Sequence, residues 1–259
     1  MGDIVPYIIV FLIGSFIGSF LNVCIYRIPR NVSIVSPASR CPSCNTPIKP
    51  YDNIPVLSYA LLGGKCRICR TPISLRYPLV ELLNAVLFVA CALRFGFEWQ
   101  TAVYALLCSA LVVITFIDLD FHIIPDVITL PGIALGLIAG SLLLNDPFAR
   151  DSLLGFRASL IGLLSGGGLF YAIAVASKGG MGGGDIKMMA MVGAFTGWKS
   201  IVLTTFLASL TGAVFGIFLM IARGKGRKTK IPFGPFLAFG TLVTLFYGQE
   251  LLAWYLPGH

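Results

Sequence analysis

The sequence predicts an all-α polytopic membrane protein of about eight transmembrane helices with a small cytoplasmic zinc-ribbon-like loop domain. Three observations predict it. The chain is 57% hydrophobic and only 12% charged, with a mean hydropathy of +0.89, whereas soluble domains run near half apolar and a quarter charged. Apolar runs long enough to span a bilayer recur along it. Two CxxC pairs sit in one basic stretch between the first two runs.

The first run, "IVPYIIVFLIGSFIGSFLNVCIY", is too long for a signal-peptide core and lacks a basic leader and a small-residue cleavage site, so it is expected to remain as an anchor. Further candidate spans follow at 78–96, 99–117, 127–144, 156–177, 199–222 and 232–254, after 5–26 for the first. The formal net charge of +8 reports orientation more than a nucleic-acid partner, because its position beside apolar runs is what counts. Eight basic residues from Arg27 to Arg76 face the lone Asp52, and a second cluster, "RGKGRKTK", runs from Arg223 to Lys230. Both are expected in the cytoplasm.

Seven crossings would leave the second cluster outside. An extra crossing is required, and the available segment is Ile186 to Trp198, which reaches only about 20 Å as a helix. The expectation is therefore eight helices, one of them short, with both termini periplasmic. Asp118, Asp120, Asp126, Lys178 and Asp185 then all fall at cytoplasmic helix ends. The expected organisation is an N-terminal transmembrane helix at 1–26, a four-cysteine domain at 27–76 and a larger helical membrane domain at 77–259. No internal repeat is apparent along the chain.

Cys41, Cys44, Cys66 and Cys69 form the two CxxC pairs, separated by the 21 residues from Asn45 to Lys65. Each pair brings two thiolates from one tight turn to a tetrahedral ion, and Arg40, Arg67 and Arg70 favour deprotonated sulfur. Four thiolates leave no open position, so the zinc expected here is structural. A stretch this short also needs a staple to fold. A cytoplasmic address argues against disulfides. Cys24, Cys91 and Cys108 lie singly in apolar runs, where cysteine acts as a small hydrophobe.

"FIDLDFHIIPD" places Asp118, Asp120 and Asp126 after the third span, and "GGGD" places Asp185 at the start of the short helix. An aspartate there is an ordinary cap or first-turn acid, which suits Asp126 best. For Asp185 that leaves the surrounding glycines unexplained; they strip side chains from the approach, as a site for another backbone requires. Paired carboxylates a few ångströms apart share a proton, and such a pair activates water by aspartyl protease chemistry. The expected partner of Asp185 is a second carboxylate arriving from another helix. Glu81, inside the second span, must face the bundle, and Lys187 is placed to pair with an acid or reach the headgroups.

Here the residues resemble the bacterial type IV prepilin peptidases, within the GxGD class of intramembrane aspartyl proteases. The resemblance rests on "GSFLNVCIYRIPR", the two CxxC pairs, "ISLRYPLVELLNA", "FIDLDFHIIPD" and "GGGDIKMMAMVGAFTGW", in that order over nearly the whole chain. It implies a bifunctional inner-membrane enzyme. Such enzymes cut the basic leader from type IV prepilins or type II secretion pseudopilins at the cytoplasmic face, then methylate the new N-terminus with S-adenosylmethionine. The implied catalytic pair is Asp118, seven residues before Pro125, with Asp185; Asp120 is the alternative for the first position. The implied peptidase domain is 77–259, and N-methylation is linked to 27–76. No glycine-rich βαβ turn marks a methyl-donor site, so that site is unknown from sequence, the region of Glu81 and the cysteine loop being the one implicated. The rival classes are an ion- or proton-coupled transporter with intramembrane acids, and a purely structural zinc-loop scaffold.

Overall fold

The computed structural model describes residues 4–223 and 231–255. Each long apolar run is a helix, the form in which a segment satisfies its own backbone groups in lipid. In chain order the helices are α1 (Val5–Arg27), the short α2 (Leu57–Leu61), α3 (Arg76–Phe95), α4 (Trp99–Phe121), α5 (Asp126–Leu142), α6 (Gly155–Ala176), α7 (Gly183–Arg223) and α8 (Gly234–Tyr255). Among the described residues six helices are long and apolar enough to cross a membrane, and α5 is a shorter apolar helix. This is a multi-pass helical membrane protein. The basic run after Arg223 lies outside the described residues.

One expectation is corrected. Helix α4 does not stop at 117 but continues to Phe121, so Asp118 and Asp120 are helical. It stops where His122 turns to φ 56° and where Ile124 precedes Pro125, a position that disfavours helix. The all-α architecture holds, with one short hairpin added in a connection: Asn145–Asp146 (β1) pairs antiparallel with Ala149–Leu153 (β2) between α5 and α6. Asp126 is a first-turn acid, as expected: Pro125 takes the cap position of α5, and Asp126, the first helical residue, pairs with Lys187 at 2.7 Å.

Helix α7 has 41 residues, about 60 Å if straight, twice the hydrocarbon thickness of about 30 Å. It is broken at Gly197, whose φ of 76° and ψ of 174° leave the helical region, a conformation open to glycine without strain. The break falls at the end of the segment expected to make the short crossing.

The chain divides into two units, Met1–Val113 and Ile114–His259. In the first, α1 lies against α3 through Gly14 and Gly18, where a side chain would stand 2.8 Å from the Ala85 Cα and 2.7 Å from the Glu81 Cα. Buried Asn84 locks the packing: its Nδ2 donates to the Gly14 carbonyl at 2.8 Å and its Oδ1 accepts from the Ser109 hydroxyl at 2.9 Å. Small residues and interhelical hydrogen bonds do this where lipid removes the hydrophobic drive. In the second unit, α7 packs on α5, α6 and α8. Gly162 of α6 and Gly193 of α7 meet backbone to backbone, so that a Cβ on either would overlap the other's carbonyl. The Ser159 hydroxyl beside them donates to the Ala194 carbonyl at 2.6 Å.

Candidate active site and metal centre

In the second unit, α4 delivers Asp118 and the first turn of α7 delivers Asp185. They are 6% and 9% exposed, and their carboxylates lie within electrostatic reach of each other. Two residues beyond Asp118 in the same helix, Asp120 is exposed, as is His122. Each buried carboxylate is held by a backbone amide: Asp118 Oδ2 accepts from the Gly234 N–H at 2.9 Å, and Asp185 Oδ2 accepts from the Gly182 N–H at 3.3 Å. The second bond is the returning arm of a capping box, the third residue of the helix reaching back to the residue before it.

The glycines around Asp185 differ in what they do. Gly179 and Gly183 face open space, whereas a side chain on Gly184 would stand 2.7 Å from the Ile124 Cβ. Gly184 therefore brings α7 against the segment that follows α4. Sequence reasoning missed Gly234. The available signal was "FGPF", a glycine before a proline placed to start a helix.

In the first unit, the sulfur atoms of Cys41, Cys44, Cys66 and Cys69 all lie within 4.8 Å of one another. Cys41 Sγ and Cys69 Sγ are 3.7 Å apart, close to the separation of about 3.8 Å between two sulfurs on a tetrahedral zinc at about 2.3 Å. The two turns are copies of one another. In each, the first cysteine N–H donates to a threonine carbonyl five residues on, Thr46 at 3.0 Å and Thr71 at 2.9 Å. Each turn also passes through a left-handed residue, Asn45 at φ 56° and Arg70 at φ 59°. "CPSCNTPI" and "CRICRTPI" are thus a repeat, against the expectation of none; eight residues are too few to show against apolar spans.

The Thr71 hydroxyl and amide beside Cys69 hold its thiol down at about 6, and Thr46 likewise lowers that of Cys44. Both effects favour thiolate ligands. Between the turns, Arg67 Nε reaches both oxygens of Asp52 at 3.0 and 2.9 Å, and this holds the Asp52 carboxyl below its usual range.

A cavity of about 770 Å³ opens between the end of α1 and the cysteine turns, lined among others by Asn22, Tyr26, Arg27, Lys49, Asp52 and Tyr77. Glu81, 8% exposed, borders it indirectly. It bonds with Ser19, which lines the cavity, while its Oε2 accepts the Val56 N–H at 2.7 Å. Val56 sits at φ 59°, strained for a β-branched residue, so the Glu81 carboxylate pins a turn of the loop.

These features describe a helical membrane protein with two buried aspartates on different helices and a four-cysteine centre in a loop. The comparisons narrow it. Residues 12–95 match the bacterial peptidase A24 N-terminal domain and residues 105–217 the type IV leader peptidase family. The chain is 39% identical to the prepilin leader peptidase/N-methyltransferase of Pseudomonas aeruginosa, over 95% of this chain and 91% of that one. It is 39% identical to the protein of the same name from Aeromonas hydrophila, over 96% and 93%, and 42% identical to that of Myxococcus xanthus, over 86% and 66%. The chain belongs to the type IV leader peptidase family. No solved structure matches it. None of these relatives supports the transporter alternative.

Proposed function

We propose that the protein removes the basic leader from type IV prepilins or type II secretion pseudopilins and then methylates the new N-terminus. The observation that supports the peptidase half is that Asp118 and Asp185, on different helices, are both buried and within electrostatic reach of each other. One of them takes a proton from water as the water oxygen bonds to the scissile carbonyl carbon. The protonated partner gives its proton to the carbonyl oxygen. Collapse of the tetrahedral species breaks the C–N bond and returns a proton to the leaving amine. The open faces of Gly179 and Gly183 leave room for the substrate backbone beside Asp185.

The proposed setting is the bacterial inner membrane with eight crossings, the short one ending at Gly197, both termini periplasmic and the acids at the cytoplasmic edge. The positive-inside distribution supports it, and a prepilin whose basic leader meets an apolar helix presents its cleavage point at that level.

Zinc fits the four cysteines in donor chemistry and sulfur spacing, and its role is to hold the two turns together. The methyl donor S-adenosylmethionine fits the cavity beside α1. The volume is within the usual range for such ligands, and Tyr77 and Lys49 among its lining residues supply an aromatic ring for an adenine and a cation for the donor's carboxylate. When bound, it supplies an electrophilic methyl group to the substrate amine. The chain's part is to hold it and to exclude water. The test is incubation of the purified protein with a prepilin and S-adenosylmethionine, with mass spectrometry of the product. Leader loss followed by the mass of a single methyl group supports the proposal, and an intact prepilin overturns it.

A further inference from the structure

Gly234 is the first residue of α8, with Pro235 after it, and its N–H reaches across to Asp118 Oδ2 in α4 at 2.9 Å. The first N–H groups of a helix have no intrahelical acceptor and carry the positive end of its dipole. An anion is their natural partner. The approach is possible only without a side chain: a Cβ on Gly234 would stand 2.7 Å from Asp118 Oδ2 and 3.2 Å from its Cγ. Pro235, at a position where its missing N–H costs nothing, fixes where the helix begins and so where that amide points.

We propose that Gly234 is a positioning residue of the peptidase site. Its N–H clamps Oδ2 of Asp118 and leaves Oδ1 to meet water and share the proton with Asp185. This inference rests on the peptidase reading above. Asp185 is held in the same manner by Gly182, so each acid has one oxygen tied to backbone and one left for chemistry. Rigid placement of this kind matters because a displacement of about 1 Å costs on the order of 100-fold in rate.

The test compares Gly234→Ala with Gly240→Ala in the full-length protein. Gly240 lies in the same helix, and its added Cβ would stand 2.7 Å from the Thr204 carbonyl, an equally tight contact away from Asp118. Gly234→Ala is expected to lower kcat for leader cleavage by about 10- to 100-fold with KM within about twofold. Methyl transfer to a pre-cleaved pilin should persist. Gly240→Ala is expected to lower the melting temperature without that selective loss of kcat. Equal effects of the two variants on kcat, or wild-type kcat in Gly234→Ala, overturns the inference.

A second measurement avoids the folding of Gly234→Ala. Amide exchange at Gly234 should be slow in the wild type and at least about tenfold faster in Asp118→Ala, because that amide lacks an intrahelical acceptor. Unchanged exchange overturns the inference. Retained cleavage in both Asp118→Asn and Asp185→Asn would instead overturn the peptidase reading on which it rests.

Discussion

Asp118 is buried and Asp120, two residues later in the same helix, is exposed. A two-residue step along a helix turns a side chain about 200° around the axis, so only one of the pair can face Asp185. Asp118→Asn is therefore expected to lower leader cleavage by about 100- to 10,000-fold, and Asp120→Asn by less than about threefold. A gel assay of leader release checks both. Loss in Asp120→Asn with activity kept in Asp118→Asn would move the role to Asp120.

The four cysteines predict about one equivalent of zinc per chain in reduced protein, by elemental analysis. Cys66→Ser should lose it, because a three-thiolate site with a weak fourth donor binds less tightly. Chelation should unfold the loop, since metal binding and folding are linked in so small a unit, and limited proteolysis between Arg40 and Arg76 would record it. A reduced protein without zinc, with the loop still resistant, contradicts the centre.

The cavity beside α1 predicts direct binding of S-adenosylmethionine. Tyr77→Ala removes an aromatic wall and should weaken equilibrium binding by about 5- to 10-fold, a loss of roughly 1 kcal/mol. Leader cleavage should stay near wild type. Binding that is unchanged by Tyr77→Ala would place the methyl donor elsewhere.

The contact of α6 and α7 through Gly162 and Gly193 leaves no volume for a side chain. Gly162→Leu is expected to destabilise the protein by at least about 1–3 kcal/mol, read as a fall in melting temperature and in folded yield. Gly168, which faces open space in the same helix, should accept alanine with little change.

The helices were legible because about 20 consecutive apolar residues have few other uses. The break in α7 at Gly197 falls at the end of a segment that charge placement alone had singled out as a separate short helix, since hydropathy does not mark where one helix gives way to the next. The end of α4 was set at 117 because a span is bounded by its first acids, whereas the helix runs on to Phe121 and buries Asp118. The grip of Gly234 on Asp118 joins residues 116 apart, and no local pattern reports a backbone amide aimed at a distant carboxylate. The cysteine turns were read correctly as pairs, yet their threonines were overlooked, since their effect appears only once each lies beside a sulfur.

Asp185 is proposed as half of a water-activating pair. The most direct measurement is the cleavage rate of a purified prepilin by Asp185→Asn protein whose folding is verified by retained methylation of an already processed pilin. Cleavage is expected to fall about 100-fold or more while methylation continues. Cleavage at the wild-type rate would contradict it.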